Sequence, residues 1–93
     1  MNVSNVISLY LSCKRSLGHR FVTEESVLDA FRKSVGDLQM NDIEDEPVLA
    51  FLNGNGAVTE YSIKKYNVLS GFYRFALSRG LVAQSPLPHR IPL

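Results

Sequence analysis

The sequence predicts an all-α domain of four helices. Apolar residues recur at steps of three and four in successive segments, capping residues and glycines bracket those segments, and strand-like alternation is scarce. The chain is 93 residues long, 45% hydrophobic and 20% charged, which suits one globular unit with a core of its own.

The first helix is expected over about 5–17, where Val6, Tyr10, Cys13 and Leu17 fall in one stripe flanked by Ile7 and Leu9. Ser4 is its expected N-cap and Gly18 its stop. After His19-Arg20-Phe21-Val22, Thr23 is the expected cap of a second helix. Glu24 and Glu25 complement the positive end of its dipole, and Gly36 closes it. Val27, Leu28, Phe31 and Val35 form its apolar face.

Asp37 to Glu46 reads as an acidic loop with Leu38, Met40 and Ile43 as the only apolar anchors. Asp42 or Asp45 caps a short third helix with Pro47 in its first turn, and Asn53-Gly54-Asn55-Gly56 stops it. Thr59 then caps the longest helix, about 60–79. Its first half is mixed, and its second half, with Leu69, Phe72, Tyr73, Phe75, Ala76 and Leu77, is apolar nearly all round, as in a central helix. Gly71 is expected to admit a neighbouring backbone. Gly80 closes the helix, Leu81 and Val82 fold back onto the core, and the proline-rich stretch 84–93 reads as an extended linker.

The residues exclude most chemistry. One cysteine and two distant histidines cannot fill a tetrahedral metal site, and no glycine-rich loop follows a strand. Asp42, Glu44, Asp45 and Glu46 lack the order of a calcium loop. Ser12 or Cys13 with His19 has no fixed nucleophile–base geometry. No cofactor is implied. Cys13, in an apolar stripe, reads as a buried thiol. No run approaches the ~20 apolar residues of a membrane span, and the N-terminal residues lack the basic-then-apolar pattern of a secretory signal. A reducing, cytoplasmic setting is expected.

Charge is segregated. Met1 to Arg20 holds three bases and no acid, Phe21 to Glu60 holds nine acids and two bases, and Tyr61 to Leu93 holds five bases and no acid. Were the first and last segments to meet, a near-neutral domain would present a basic face. The competing reading is ordinary grouping of solvated charges. Lys14, Arg15, His19 and Arg20 cluster at the end of the first helix. Lys64 and Lys65 lie one turn into the fourth, beside Tyr61 and Ser62. Such groups suit phosphate contact on double-stranded DNA.

The segments Tyr10-Leu11-Ser12-Cys13-Lys14-Arg15-Ser16-Leu17-Gly18-His19-Arg20-Phe21-Val22-Thr23-Glu24-Glu25, Val48-Leu49-Ala50-Phe51-Leu52 and Leu69-Ser70-Gly71-Phe72-Tyr73-Arg74-Phe75-Ala76-Leu77-Ser78-Arg79-Gly80-Leu81-Val82, then Ser85-Pro86-Leu87-Pro88, resemble the N-terminal core-binding domain of tyrosine recombinases, the phage-type integrases. The likeness spans about 6–88 and lies in the order and spacing of degenerate pieces. It implies a four-helix, SAM-like orthogonal bundle over 1–83 and a linker over 84–93 toward a catalytic domain outside this chain.

The resemblance also implies a function. The domain would clamp double-stranded DNA for integration or recombination of a mobile element in the bacterial cytosol. The parent would be a tetramer on DNA and the isolated domain a monomer. The second and fourth helices would face DNA through Arg20, Thr23, Ser26, Tyr61, Ser62, Lys64 and Lys65, supported by Lys14, Arg15 and His19. The family's catalytic residues are not matched: His89-Arg90-Ile91-Pro92 is not His-x-x-Arg, so this chain would be non-catalytic. Glu24 and Glu25 depart from the neutral or basic residues common there. A helical protein–protein interaction module is the alternative.

Overall fold

The computed structural model describes residues 2–53 and 60–87. Among them are four α-helices, α1 (Val3–Ser16), α2 (Val22–Val35), α3 (Asp45–Asn53) and α4 (Glu60–Ser78), with a 3-10 turn at Met40–Asp42. No strand occurs among the described residues, only an isolated bridge between Asn2 and Gln39. The fold is all-α, as the periodicity predicts. Residues 54–59 and 88–93, with the expected Gly54/Gly56 stop, the Thr59 cap and the end of the proline-rich tail, lie outside the described residues.

Helix α4 is central and packs against α1, α2 and α3. Its inward stripe runs Ser62, Lys65, Leu69, Phe72, Tyr73 and Ala76. It meets Val3, Val6 and Tyr10 from α1, Leu28 and Phe31 from α2, and Val48 and Leu52 from α3 in one core. Each large apolar side chain buried there contributes about 1.5–3 kcal/mol of transfer free energy. Phe31 joins the layers, with its ring edge-on to Phe51 at 5.4 Å and to Tyr73 at 6.3 Å. Gly71 is matched to a side chain rather than to a backbone, since a Cβ there would stand 3.0 Å from the Tyr10 hydroxyl.

Two helix starts differ from expectation. Asn2, not Ser4, caps α1: its side chain accepts from the Asn5 amide at 3.0 Å. The Ser4 amide instead donates to Asp37 Oδ1 at 3.0 Å, and the Val3 amide to the Leu38 carbonyl at 2.8 Å. The amides of Val3, Ser4 and Asn5, which a helix start leaves open, are thus satisfied, and Val6 N–H on the Asn2 carbonyl begins the helical ladder.

Helix α2 begins before Thr23, at Val22. Its N-cap Phe21 lies in the left-handed region at φ 55° and makes no side-chain cap. That conformation costs about 1–2 kcal/mol in a non-glycine residue, and the half-buried Phe21 ring, 5.6 Å from Tyr10, offsets it. The acidic loop is a junction, because Met40 and Ile43 are buried and the Asn41 side chain accepts from the Ala83 amide at 2.9 Å. Val82 folds back onto the core as expected, and Leu81 and Leu87 pack against it.

Candidate functional site

The α1–α2 turn sets the first group of basic side chains. Amides of Leu17 and His19 donate to the Lys14 carbonyl and that of Gly18 to Arg15, and the Ser16 hydroxyl donates to the Cys13 carbonyl at 2.7 Å, closing α1. Arg15 is committed to the turn: its Nε donates to the Arg20 carbonyl at 3.1 Å and its Nη2 to Glu25 Oε2 at 2.8 Å. It is therefore a strut, with its charge neutralised by Glu25. His19 and Arg20 are exposed, and the His19 ring lies 5.7 Å from Phe21.

Beneath this turn an aromatic cluster carries two more cations. Tyr10 contacts Phe21 at 5.6 Å and Phe75 at 5.1 Å. The Lys14 ammonium stands 5.9 Å from the Tyr10 ring centre, and the Arg79 guanidinium stands 5.1 Å from that of Phe75. Arg79 Nη2 also approaches Cys13 Sγ at 3.6 Å, so the chain's first and last acid-free segments do meet. Cys13 is half-buried rather than sealed in the core. Burial raises the Tyr10 hydroxyl above its ordinary pKa, the Glu24 carboxylate adds to that, and Arg74 opposes it.

The first half of α4 is different. Lys65 is buried: its Nζ donates to the Phe51 carbonyl near the end of α3 and lies 4.8 Å and 5.1 Å from the Phe51 and Tyr61 ring centres. Burial holds its pKa below the ordinary lysine value. It ties α3 to α4, with its ammonium held on the Phe51 carbonyl rather than offered to solvent. Ser62, one turn earlier on the same inward stripe, is likewise buried. Both corrections have one cause, the phase of α4, which points positions 62 and 65 at the core.

Lys64 and Tyr61 are exposed. Lys64 lines a groove with Glu24, Glu60, Ile63, Asn67 and Val68, where α2 and α4 lie side by side. Ser26 lines a second groove, between α1 and α2, with Glu25, Asp29 and Arg32. The residues expected to form one face are thus divided. Lys14, His19 and Arg20 cluster at the α1–α2 turn, Lys64 stands among carboxylates, Ser26 opens onto the other side of α2, and Thr23 is exposed between them.

Arg79 joins this group of cations although the sequence pattern does not single it out. Its signal was present, as a cation directly after an apolar helix end, but only the fold shows which other helix end it meets. Among the described residues Lys14, Arg20, Lys64, Arg74 and Arg79 have no carboxylate within ion-pair distance. No group of three or more His, Cys, Asp or Glu among them is placed to hold a metal ion. None of their helices is long and apolar enough to cross a membrane.

No family model, curated protein or solved structure matches the chain.

Proposed function

We propose that the chain is the DNA-binding, core-binding domain of a site-specific tyrosine recombinase, folded as a SAM-like orthogonal bundle. It would hold one side of double-stranded DNA while a catalytic domain outside this chain breaks and rejoins strands. The reading rests on the motif resemblance. The observation that supports it physically is the meeting of the two acid-free segments at Cys13 and Arg79. That contact gathers positive charge at one end of a domain whose formal net charge is only +1. On this reading the domain contributes grip, the parent assembles on DNA as a tetramer, and the setting is the bacterial cytosol.

Retention of the chain by double-stranded DNA at low salt tests the reading. Affinity should fall with salt on a log–log plot, by about 0.9 in slope for each phosphate contacted. Absence of retention at low salt rejects it. The groove holding Glu24, Glu60 and Lys64 beside the apolar Ile63 and Val68 favours a second reading, a helical protein–protein module. That reading requires salt-insensitive affinity for a protein and no hold on DNA.

A further inference from the structure

Resting on the DNA-binding reading, we infer that the phosphate grip is the end of the bundle where α1 and α4 terminate, with Arg79 and Lys14 as its contacts, and not the lysine pair of α4. The ligand is the phosphodiester backbone of double-stranded DNA.

Three properties together set these two cations apart. Neither has a carboxylate within ion-pair distance among the described residues, a property shared with Lys64 but not with Arg15, which is spent on Glu25, and Arg79 gives only one long bond, to Cys13 Sγ at 3.6 Å. They are also not consumed by helix capping. The carbonyls at the end of α1 accept from the amides of Leu17, Gly18 and His19, and those at the end of α4 from the amides of Arg79, Gly80 and Leu81.

The third property is aim. Each charge lies against an aromatic ring of one connected cluster, Lys14 on Tyr10 and Arg79 on Phe75, with the two rings 5.1 Å apart. A cation held over a ring face loses less rotamer freedom when it meets a phosphate than one waving in solvent. Arg79 is exposed and has a planar fork for two phosphate oxygens. His19 and Arg20 border the same end; of its two carboxylates Glu25 is bonded to Arg15, while Glu24, near enough to act on Tyr10, is the one negative charge the grip must tolerate.

The test measures binding of the whole chain to a mixed-sequence DNA duplex across a salt series. Lys14→Gln and Arg79→Gln should each reduce the log–log slope by about 0.9, and the double variant by about twice that. Arg79→Lys keeps the charge and should keep the slope, so a loss caused only by misfolding would appear in both Arg79 variants and in the helical circular dichroism signal. Lys33→Gln, in the last turn of α2 and paired with Asp29, should leave the slope unchanged. If the unaltered chain binds DNA but Lys14→Gln and Arg79→Gln keep its slope while Lys64→Gln lowers it, the grip is on α4's first half and this inference falls alone. If the unaltered chain does not bind, the DNA reading falls and takes it down too.

Discussion

Lys64 and Lys65 are neighbours in the chain but part company in the fold: one stands in solvent beside Glu24 and Glu60, the other ends under two aromatic rings. Cys13 and Arg79 are 66 positions apart and touch. Charge adjacency along a sequence therefore says little about charge adjacency on a surface. In a helix, neighbours differ by about 100° in direction, so one of any two consecutive lysines can face inward. The ends of α1 and α4 behave otherwise: the fold brings them together, so the long Arg79 side chain meets Cys13 whatever their separation in the chain.

The largest effect that could break this contrast is on stability. Lys65→Ala removes the donor to the Phe51 carbonyl and the stem packed on Phe51 and Tyr61, and should cost about 2 kcal/mol. Lys64→Ala should stay within about 0.5 kcal/mol, as exposed positions do. Urea denaturation of the two variants measures both. Equal losses would mean that the two lysines are equivalent and the contrast is false. Lys65→Met, which keeps the packing and loses only the donor, should fall between them.

The split also shows where reading the sequence succeeds. The elements were legible because Val6, Tyr10, Leu28, Phe31, Leu69, Phe72 and Ala76 sit at helical spacing and glycines 18, 36 and 80 take positive φ at or just past the helix ends. The phase of α4 was legible too, since counting back from Phe72 and Leu69 reaches Lys65 and Ser62. Lysine at an inward position is tolerated there because its amphipathic stem is buried and its ammonium finds the Phe51 carbonyl. The caps were not legible. Asn2 caps in place of Ser4 because α1 begins at Val3, where Asp37 and Leu38 take the Ser4 and Val3 amides, and those partners arrive from more than 30 residues away. Phe21 starts α2 because its ring packs on Tyr10, a contact that only the folded bundle creates. The site was legible as residue types, not as a surface, because pairing with Glu25 and burial under α3 are decided in three dimensions.

A middle-sized effect sharpens the contrast between the two ends of α1. At the end opposite Lys14 and Arg15, the Asp37 carboxylate is held below the usual aspartate range, chiefly by the Ser4 amide and secondarily by its hydroxyl. A depressed folded-state value means that the folded chain binds fewer protons than the unfolded one. Asp37 therefore adds stability above the unfolded aspartate pKa of about 3.9, and this is lost as pH falls through that value and the lower folded one. Asp37→Asn keeps an acceptor for the amide but cannot titrate, so it should flatten part of the acid limb of a stability–pH curve. An unchanged acid limb would place the proton uptake elsewhere, with Asp29, held low by Arg32 and Lys33, as the next group to test.

The smallest effect on stability is the most informative for function. Arg15 and Glu25 are each nearly half exposed, and a surface pair of this kind is worth at most about 1 kcal/mol. Glu25→Gln should therefore move the melting temperature little, since the Arg15 Nε bond to the Arg20 carbonyl still holds the turn. It does, however, remove the carboxylate that neutralises a guanidinium at the edge of the Lys14–Arg79 end. If that end grips phosphate, the released Arg15 adds one contact, and DNA affinity should rise at low salt with a slope steeper by up to about 0.9. The same substitution leaves the Lys64 groove, with Glu24 and Glu60, as it was. A gain from Glu25→Gln and none from Glu60→Gln assigns the grip to the helix ends, whereas the reverse assigns it to α4's first half. On the DNA-binding reading Glu24 and Glu25 have separate consequences: Glu25 limits the grip by occupying Arg15, while Glu24 shapes a groove in which a single lysine is outnumbered.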